Sequence, residues 1–129
     1  MRSFKILMYE DNLEWKDGFE FAIRPKLERS GIQLHIYHKY DNATLMQDIE
    51  VIPHLILIDF DLGHITGEEI IQQIDGDPQF NSTSIFFYSG GESIDSLKAI
   101  SGKFNCGVSC FNKKGDDLEN AVISKGESI

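Results

Sequence analysis

Cysteine is scarce in this chain, and so is basic charge. Cys106 and Cys110 are the two cysteines in 129 residues. Two thiols cannot complete a four-ligand zinc site, and no histidine follows them at a suitable spacing. They read as small, reduced, buried or half-buried side chains. Lysine and arginine number 12 against 21 aspartates and glutamates, a formal net charge of −9, so the surface potential opposes nucleic acid and anionic lipid. Direct DNA binding is not expected. No apolar run approaches the ~20 residues of a membrane span, and no basic segment leads into an apolar stretch of signal length. A cytoplasmic location is the expectation. Repeats, low-complexity tracts and linkers are absent from the sequence as well, and its length suits one domain over residues 1–129, with an ordered core over about 3–125.

What is present is organised around Leu55 to Gly67, LILIDFDLGHITG. The unbroken run Leu55-Ile56-Leu57-Ile58 suits a strand buried on both faces, as at the centre of a parallel sheet. It ends in two carboxylates, Asp59 and Asp61. In open α/β sheets, ligands and chemistry collect in the crevice outside the strand C-termini, so Asp59 stands where a carboxylate can bind or react. An acidic turn after a strand is the plain alternative.

The chain before this stretch follows the same design. Phe4 to Tyr9 (FKILMY) reads as a strand and ends in the acidic pair Glu10-Asp11. Asn12 then caps a helix with Leu13, Phe19, Ala22 and Ile23 at helical spacing and Trp15 and Phe19 an i, i+4 pair. Pro25 is expected to kink or end it. Ile32 to Tyr40 alternates as a second strand does, and Asp41-Asn42 offers a cap for a short helix over Ala43 to Val51.

After the Asp59 turn, Thr66-Gly67 leads into a helix over Glu68 to Asp75, closed by Gly76-Asp77-Pro78. Ser84 to Tyr88 is a fourth strand running into Ser89-Gly90-Gly91, and Ile94 to Ser101 a weaker helix. Val108 to Asn112 is a fifth strand delivering Lys113-Lys114; Gly115-Asp116 starts a last helix with Leu118, Ala121, Val122 and Ile123, and Gly126 to Ile129 are expected to fray. Strand and helix alternate throughout, which predicts an α/β fold: a parallel sheet with right-handed crossovers and helices on both faces.

Four strand ends thus carry Glu10-Asp11, Asp59 with Asp61, Ser89, and Lys113-Lys114. A parallel sheet brings them to one edge. Carboxylates gathered there repel unless a cation sits among them, and hard oxygen ligands with room for water suit Mg²⁺. A lysine and a hydroxyl at the same edge complete a site for a phosphoryl group, with Asp59 as the nucleophile. Each residue also has a plain reading: Glu10-Asp11 as helix-end charges, Ser89 as a turn residue, the lysines as a solvated pair. The joint occurrence, in order, is the specific signal. Of the histidines His35, His38, His54 and His64, only His64 lies beside the Asp59 turn, where it reads as a solvated loop side chain.

These residues resemble the receiver domain of two-component response regulators over essentially the whole chain. FKILMYEDN is similar to the family's first strand with its metal carboxylates, which implies Glu10 and Asp11. LILIDFDLGHITGEEII resembles the phosphoacceptor strand and loop, implying Asp59 as the phosphorylated aspartate and Asp61 as a backbone-carbonyl ligand; Gly67 matches the loop glycine. FFYSGG puts Ser89 at the family's Ser/Thr position, and GVSCFNKKGD resembles the fifth strand with its lysine. Two departures stand out. Gly63 replaces a frequent proline and should loosen the loop. No proline follows the lysine, so Lys113 or Lys114 fits; Lys113 is preferred because Lys114 would bury the Asn112 amide. With Lys113, Cys110 takes the family's aromatic switch position.

The resemblance implies a flavodoxin-like (βα)5 doubly wound sheet of order 2-1-3-4-5 and a phosphoacceptor signalling domain, not an enzyme in its own right beyond self-catalysed phosphoryl transfer and autodephosphorylation. Asp59, Ser89 and Lys113 would do the chemistry, with Mg²⁺ on Glu10, Asp11, Asp59 and Asp61. A sensor histidine kinase or a histidine phosphotransfer protein would be the donor. A downstream protein effector is expected, since the sequence has no basic helix-turn-helix, and a homodimer could form through Ile94–Ser101, the fifth strand and the last helix. Two rivals remain: a haloacid-dehalogenase-like phosphatase, whose nucleophile motif Asp59-Phe60-Asp61 also resembles but whose order of elements differs, and a receiver-shaped docking module.

Overall fold

The computed structural model describes residues 1–39 and 52–129; the expected cap at Asp41-Asn42 and the helix over 43–51 lie outside them. The strands are β1 (Arg2–Tyr9), β2 (Ile32–Lys39), β3 (Leu55–Asp59), β4 (Ser84–Ser89) and β5 (Val108–Asn112), and the helices α1 (Leu13–Arg29), α2 (Gly67–Ile74), α3 (Ile94–Ser101) and α4 (Asp117–Glu127). They form a parallel sheet of order β2-β1-β3-β4-β5, the flavodoxin-like arrangement.

Alternation along the strands divides the core into two layers. Phe4, Ile6, Met8, Leu55, Leu57, Phe86 and Tyr88 face α1 and α4, meeting Phe19, Ile23, Leu27, Leu118 and Val122. Leu7, Tyr9, Ile56, Ile58, Ile85 and Phe87 face α2 and α3, meeting Ile70, Ile71, Ile74 and Leu97. All five residues of β3 are buried, as its unbroken apolar run requires.

Register explains why the strand ends meet. Tyr9 lies opposite Ile58, Asp59 opposite Tyr88, and Ser89 opposite Asn112. The next residues out, Glu10 and Lys113, therefore emerge at the same edge as Asp59 and Ser89.

Two expectations about α1 and α4 are corrected. Of the two outcomes expected at Pro25, a kink or an end, the end does not occur: α1 runs through it to Arg29. Pro25 is exposed, so the Phe21 carbonyl that loses its partner lies near solvent, while buried Ile23 and Leu27 anchor the flanking turns. The end of α4 is also packed. Gly126 is buried, and a Cβ there would come within 2.7 Å of both Leu27 and Phe4 side chains, so α4 approaches α1 closely at this point.

Candidate functional site

The site is a cleft of about 680 Å³ lined by Asp11, Asn12, Asp59, Phe60, Asp61, Ser89, Gly90, Glu92 and Lys113, among others. Asp59 closes β3 and is 4% exposed. Its backbone is covered by the first turn of α2: the Gly67 amide donates to the Phe60 carbonyl at 2.7 Å. A Cβ on Gly67 would fall on the Asp59 carbonyl oxygen and within 2.8 Å of Ile58 and Phe87, so glycine permits the close approach.

Glu10 is fully buried, an expensive place for a carboxylate unless it is paired. Its partners come from three directions. The Asn12 amide donates to Oε2 at 3.0 Å, the Tyr88 hydroxyl donates to Oε1 at 3.0 Å, and the Lys113 Nζ lies 3.1 Å from each oxygen. His38 Nε2 donates to the Glu10 backbone carbonyl at 2.7 Å.

Lys113 also donates to Asp59 Oδ2 at 3.0 Å. The ammonium that enters the site is thus that of Lys113; Lys114 is exposed, its amide bonded to Asn112 Oδ1 at 2.8 Å. Beneath the ammonium lies an aromatic shelf. Nζ stands 4.7 Å from the Trp15 ring centroid and 5.9 Å from that of Tyr88. The two rings stack at 5.3 Å, and Trp15 stacks on Phe19 at 5.1 Å.

The electrostatics follow from burial and proximity. Burial, then the neighbouring Glu10 charge, pushes the Asp59 carboxyl up to about 7, with Lys113 offsetting part of the rise. Burial works against the Lys113 ammonium, but its ion pairs with Asp59 and Glu10 outweigh it and raise its pKa. Tyr88 is raised well above the ordinary phenol range by burial and then by Glu10, so it stays protonated and donates.

Glu10, Asp11 and Asp59 each offer an oxygen, and these oxygens lie within 4.8 Å of one another. Hard oxygen donors in this number fit a divalent cation such as Mg²⁺ or Ca²⁺. The part of the Asp59 shift that comes from Glu10, second to burial, is what a cation would relieve.

The loop after β3 is a closed turn. The Asp61 amide donates to Asp59 Oδ1 at 3.3 Å, the Gly63 amide to Asp61 Oδ1 at 3.1 Å, and the Leu62 amide to the Ile65 carbonyl at 3.1 Å. Gly63 has φ of +81°, which a proline could not adopt. Gly63 thus sits in a hydrogen-bonded turn of its own kind, with Leu62 buried. Among the described residues the Asp61 carbonyl accepts no backbone hydrogen bond.

Ser89 is buried, and its Oγ accepts from the amides of Gly91 and Glu92 at 3.1 and 2.9 Å. Its own proton is not used in these contacts. His64 is exposed. Cys106 and Cys110 are half-buried free thiols, and Cys110 Sγ lies 3.6 Å from Ser101 Oγ.

Trp15, Tyr88 and His38 are the site residues that sequence reasoning passed over. Trp15 and Tyr88 read as ordinary core positions. A polar-headed aromatic directly preceding Ser89 was the available signal for Tyr88.

No protein-family profile matches the sequence, and no relative was found among curated proteins. Solved structures do match. The signal receiver domain of a Luxo repressor protein from Vibrio parahaemolyticus is 20% identical, with a TM-score of 0.72 over 99% of this chain and 92% of that one. The phosphorylated cyanobacterial phytochrome response regulator RcpA is 22% identical, with a TM-score of 0.73 over 95% and 90%. A response regulator from Burkholderia pseudomallei, solved with a phosphorylated aspartic acid, calcium ion and citrate, is 19% identical, with a TM-score of 0.63 over 97% and 69%. The chain has the fold of response-regulator receiver domains. No helix among the described residues is long and apolar enough to cross a membrane.

Proposed function

We propose that this chain is a phosphoacceptor signalling domain, a receiver over residues 1–129 that takes a phosphoryl group on Asp59 from a phosphohistidine donor. The observation that carries the reading is the Asp59 carboxylate, held 3.0 Å from the Lys113 ammonium and clustered with the ligand oxygens of Glu10 and Asp11. An Asp59 oxygen attacks phosphorus, the P–N bond breaks, and the donor imidazole leaves with the bonding pair.

Glu10, Asp11, Asp59 and the Asp61 carbonyl would hold Mg²⁺. When bound, the cation supplies positive charge to the phosphoryl oxygens and favours the ionised Asp59. Lys113 neutralises a further oxygen, and Ser89 turns its free proton toward another. The new charge favours one of two arrangements of β4, β5 and the loops after them, and so changes which partner binds. That partner is a downstream protein, and the α3–β5–α4 face is where a second copy would pair. The donor is a sensor histidine kinase or a histidine phosphotransfer protein, in the cytoplasm.

The test is intact mass after incubation with Mg²⁺ and acetyl phosphate, alongside Asp59→Asn. One added phosphoryl group that needs both Mg²⁺ and Asp59 is expected. Equal labelling of wild type and Asp59→Asn would overturn the reading, and steady turnover of a phosphomonoester would mark a phosphatase instead.

A further inference from the structure

The phosphoacceptor reading makes no use of Tyr88, a fully buried side chain whose hydroxyl has Glu10 Oε1 as its partner at 3.0 Å. A phenol has one proton to give, and here it is committed to Glu10. The ring carrying it is fixed in turn, stacked on Trp15 at 5.3 Å, which is stacked on Phe19 at 5.1 Å. The hydroxyl is therefore a stationary donor.

Glu10 needs one. A glutamate side chain has one more rotatable bond than aspartate, and of the three donors that meet its carboxylate among the described residues, Lys113 is shared with Asp59. The other two are anchored: the Asn12 amide on Oε2 and the Tyr88 hydroxyl on Oε1. Two anchored donors, one per oxygen, fix the plane of the carboxylate independently of where the ammonium goes. Without the hydroxyl, Oε1 would keep Lys113 as its one partner among the described residues. Holding the cation would then compete with holding the lysine.

Resting on the metal-dependent phosphoacceptor reading, we propose that Tyr88 is a positioning residue for the divalent cation: its hydroxyl locks the buried Glu10 carboxylate so that its ligand oxygen stays clustered with those of Asp11 and Asp59. Outer partners that orient a ligand in this way alter metal affinity by roughly 10- to 100-fold when removed.

The full chain provides its own reporter, because Trp15 is the sole tryptophan and lies 4.7 Å from the Lys113 ammonium. Mg²⁺ is titrated by Trp15 fluorescence and by calorimetry into wild type, Tyr88→Phe, Glu10→Asp and the double variant. Tyr88→Phe keeps both rings and deletes one hydroxyl; it should bind Mg²⁺ about tenfold more weakly or worse. In Glu10→Asp the shorter acid is out of the hydroxyl's reach, so adding Tyr88→Phe should change affinity less than about twofold. Ile85→Val, a core change away from the cleft, should lower the melting temperature and leave Mg²⁺ affinity unchanged. Equal affinity in wild type and Tyr88→Phe, or the same loss in both Glu10 backgrounds, would overturn the positioning role and leave the phosphoacceptor reading standing. Failure of wild type to bind Mg²⁺ would overturn both.

Discussion

The Lys113 ammonium rests 4.7 Å from the centroid of the Trp15 ring while bridging Glu10 and Asp59. One cation therefore serves two carboxylates that are almost wholly withdrawn from water. Replacing it leaves both without a counter-charge, the situation in which breaking a buried pair is most costly. Lys113→Met should lower the stability of the metal-free protein by about 3 kcal/mol at pH 8. The loss should shrink at pH 5, where Asp59 is protonated and needs no partner. Urea midpoints at the two pH values measure both; an equal loss at each would contradict this account of the bridge.

Asp59 itself should set part of the pH dependence. Its native pKa of about 7 lies above the ordinary aspartate value of 3.8, so between these values the folded state holds a proton that the unfolded state has released. Stability in EDTA should therefore fall as pH rises through that window and level off above it. Asp59→Asn should remove this component, and saturating Mg²⁺ should reverse it at high pH. Identical pH profiles for wild type and Asp59→Asn would show that Asp59 is not the titrating group.

His54 acts in the opposite sense. Its Nδ1 accepts the Lys5 amide at 3.0 Å, and burial, then the Lys5 and Lys125 charges, lowers its pKa below 6.5. The unfolded chain takes up a proton first as pH falls, so this contribution to stability is present above about pH 6.5 and is lost below it as the folded pKa is passed. The difference between wild type and His54→Asn in thermal midpoint should narrow from pH 7.5 to pH 5. A difference that stays constant would contradict the assignment.

Gly67 should tolerate no side chain. In Gly67→Ala the methyl group meets the Asp59 carbonyl oxygen, Ile58 and Phe87, an overpacking of the kind that costs about 1–3 kcal/mol. The backbone of Asp59 is among the atoms that must shift, so on the proposed reading acetyl phosphate labelling should slow as well as the urea midpoint fall. Labelling at the wild-type rate in a destabilised variant would show that α2 can yield without moving Asp59.

Most of the fold was legible because its strands are short apolar runs ending in polar pairs. Leu55 to Ile58 suited a strand buried on both faces, and parallel register then brought Glu10, Asp59, Ser89 and Lys113 to one edge. Pro25 misled because local rules say nothing about which side of a helix faces water; on the exposed side of α1 the missing hydrogen bond was tolerable. Gly63 was legible as a departure, but whether it loosened the loop or re-formed it depended on a left-handed turn visible only in three dimensions. The aromatic shelf was hidden for a related reason. Trp15 and Tyr88 sit at apolar positions of a helix and a strand, and helical or strand spacing cannot reveal that an indole face and a phenol oxygen serve buried charges.

Lys113 follows β5, an edge strand paired with β4 alone, and it reaches Glu10 across a sequence separation of 103. A ribosome has therefore released Glu10, Asp11 and Asp59 long before the ammonium that bridges Glu10 and Asp59 has been made. Until that last strand docks, closing the sheet over Glu10 would strand negative charge in a medium that cannot screen it. The last strand thus carries the counter-charge for the first and third, and a chain that stops short of Lys113 should leave these carboxylates nearer water.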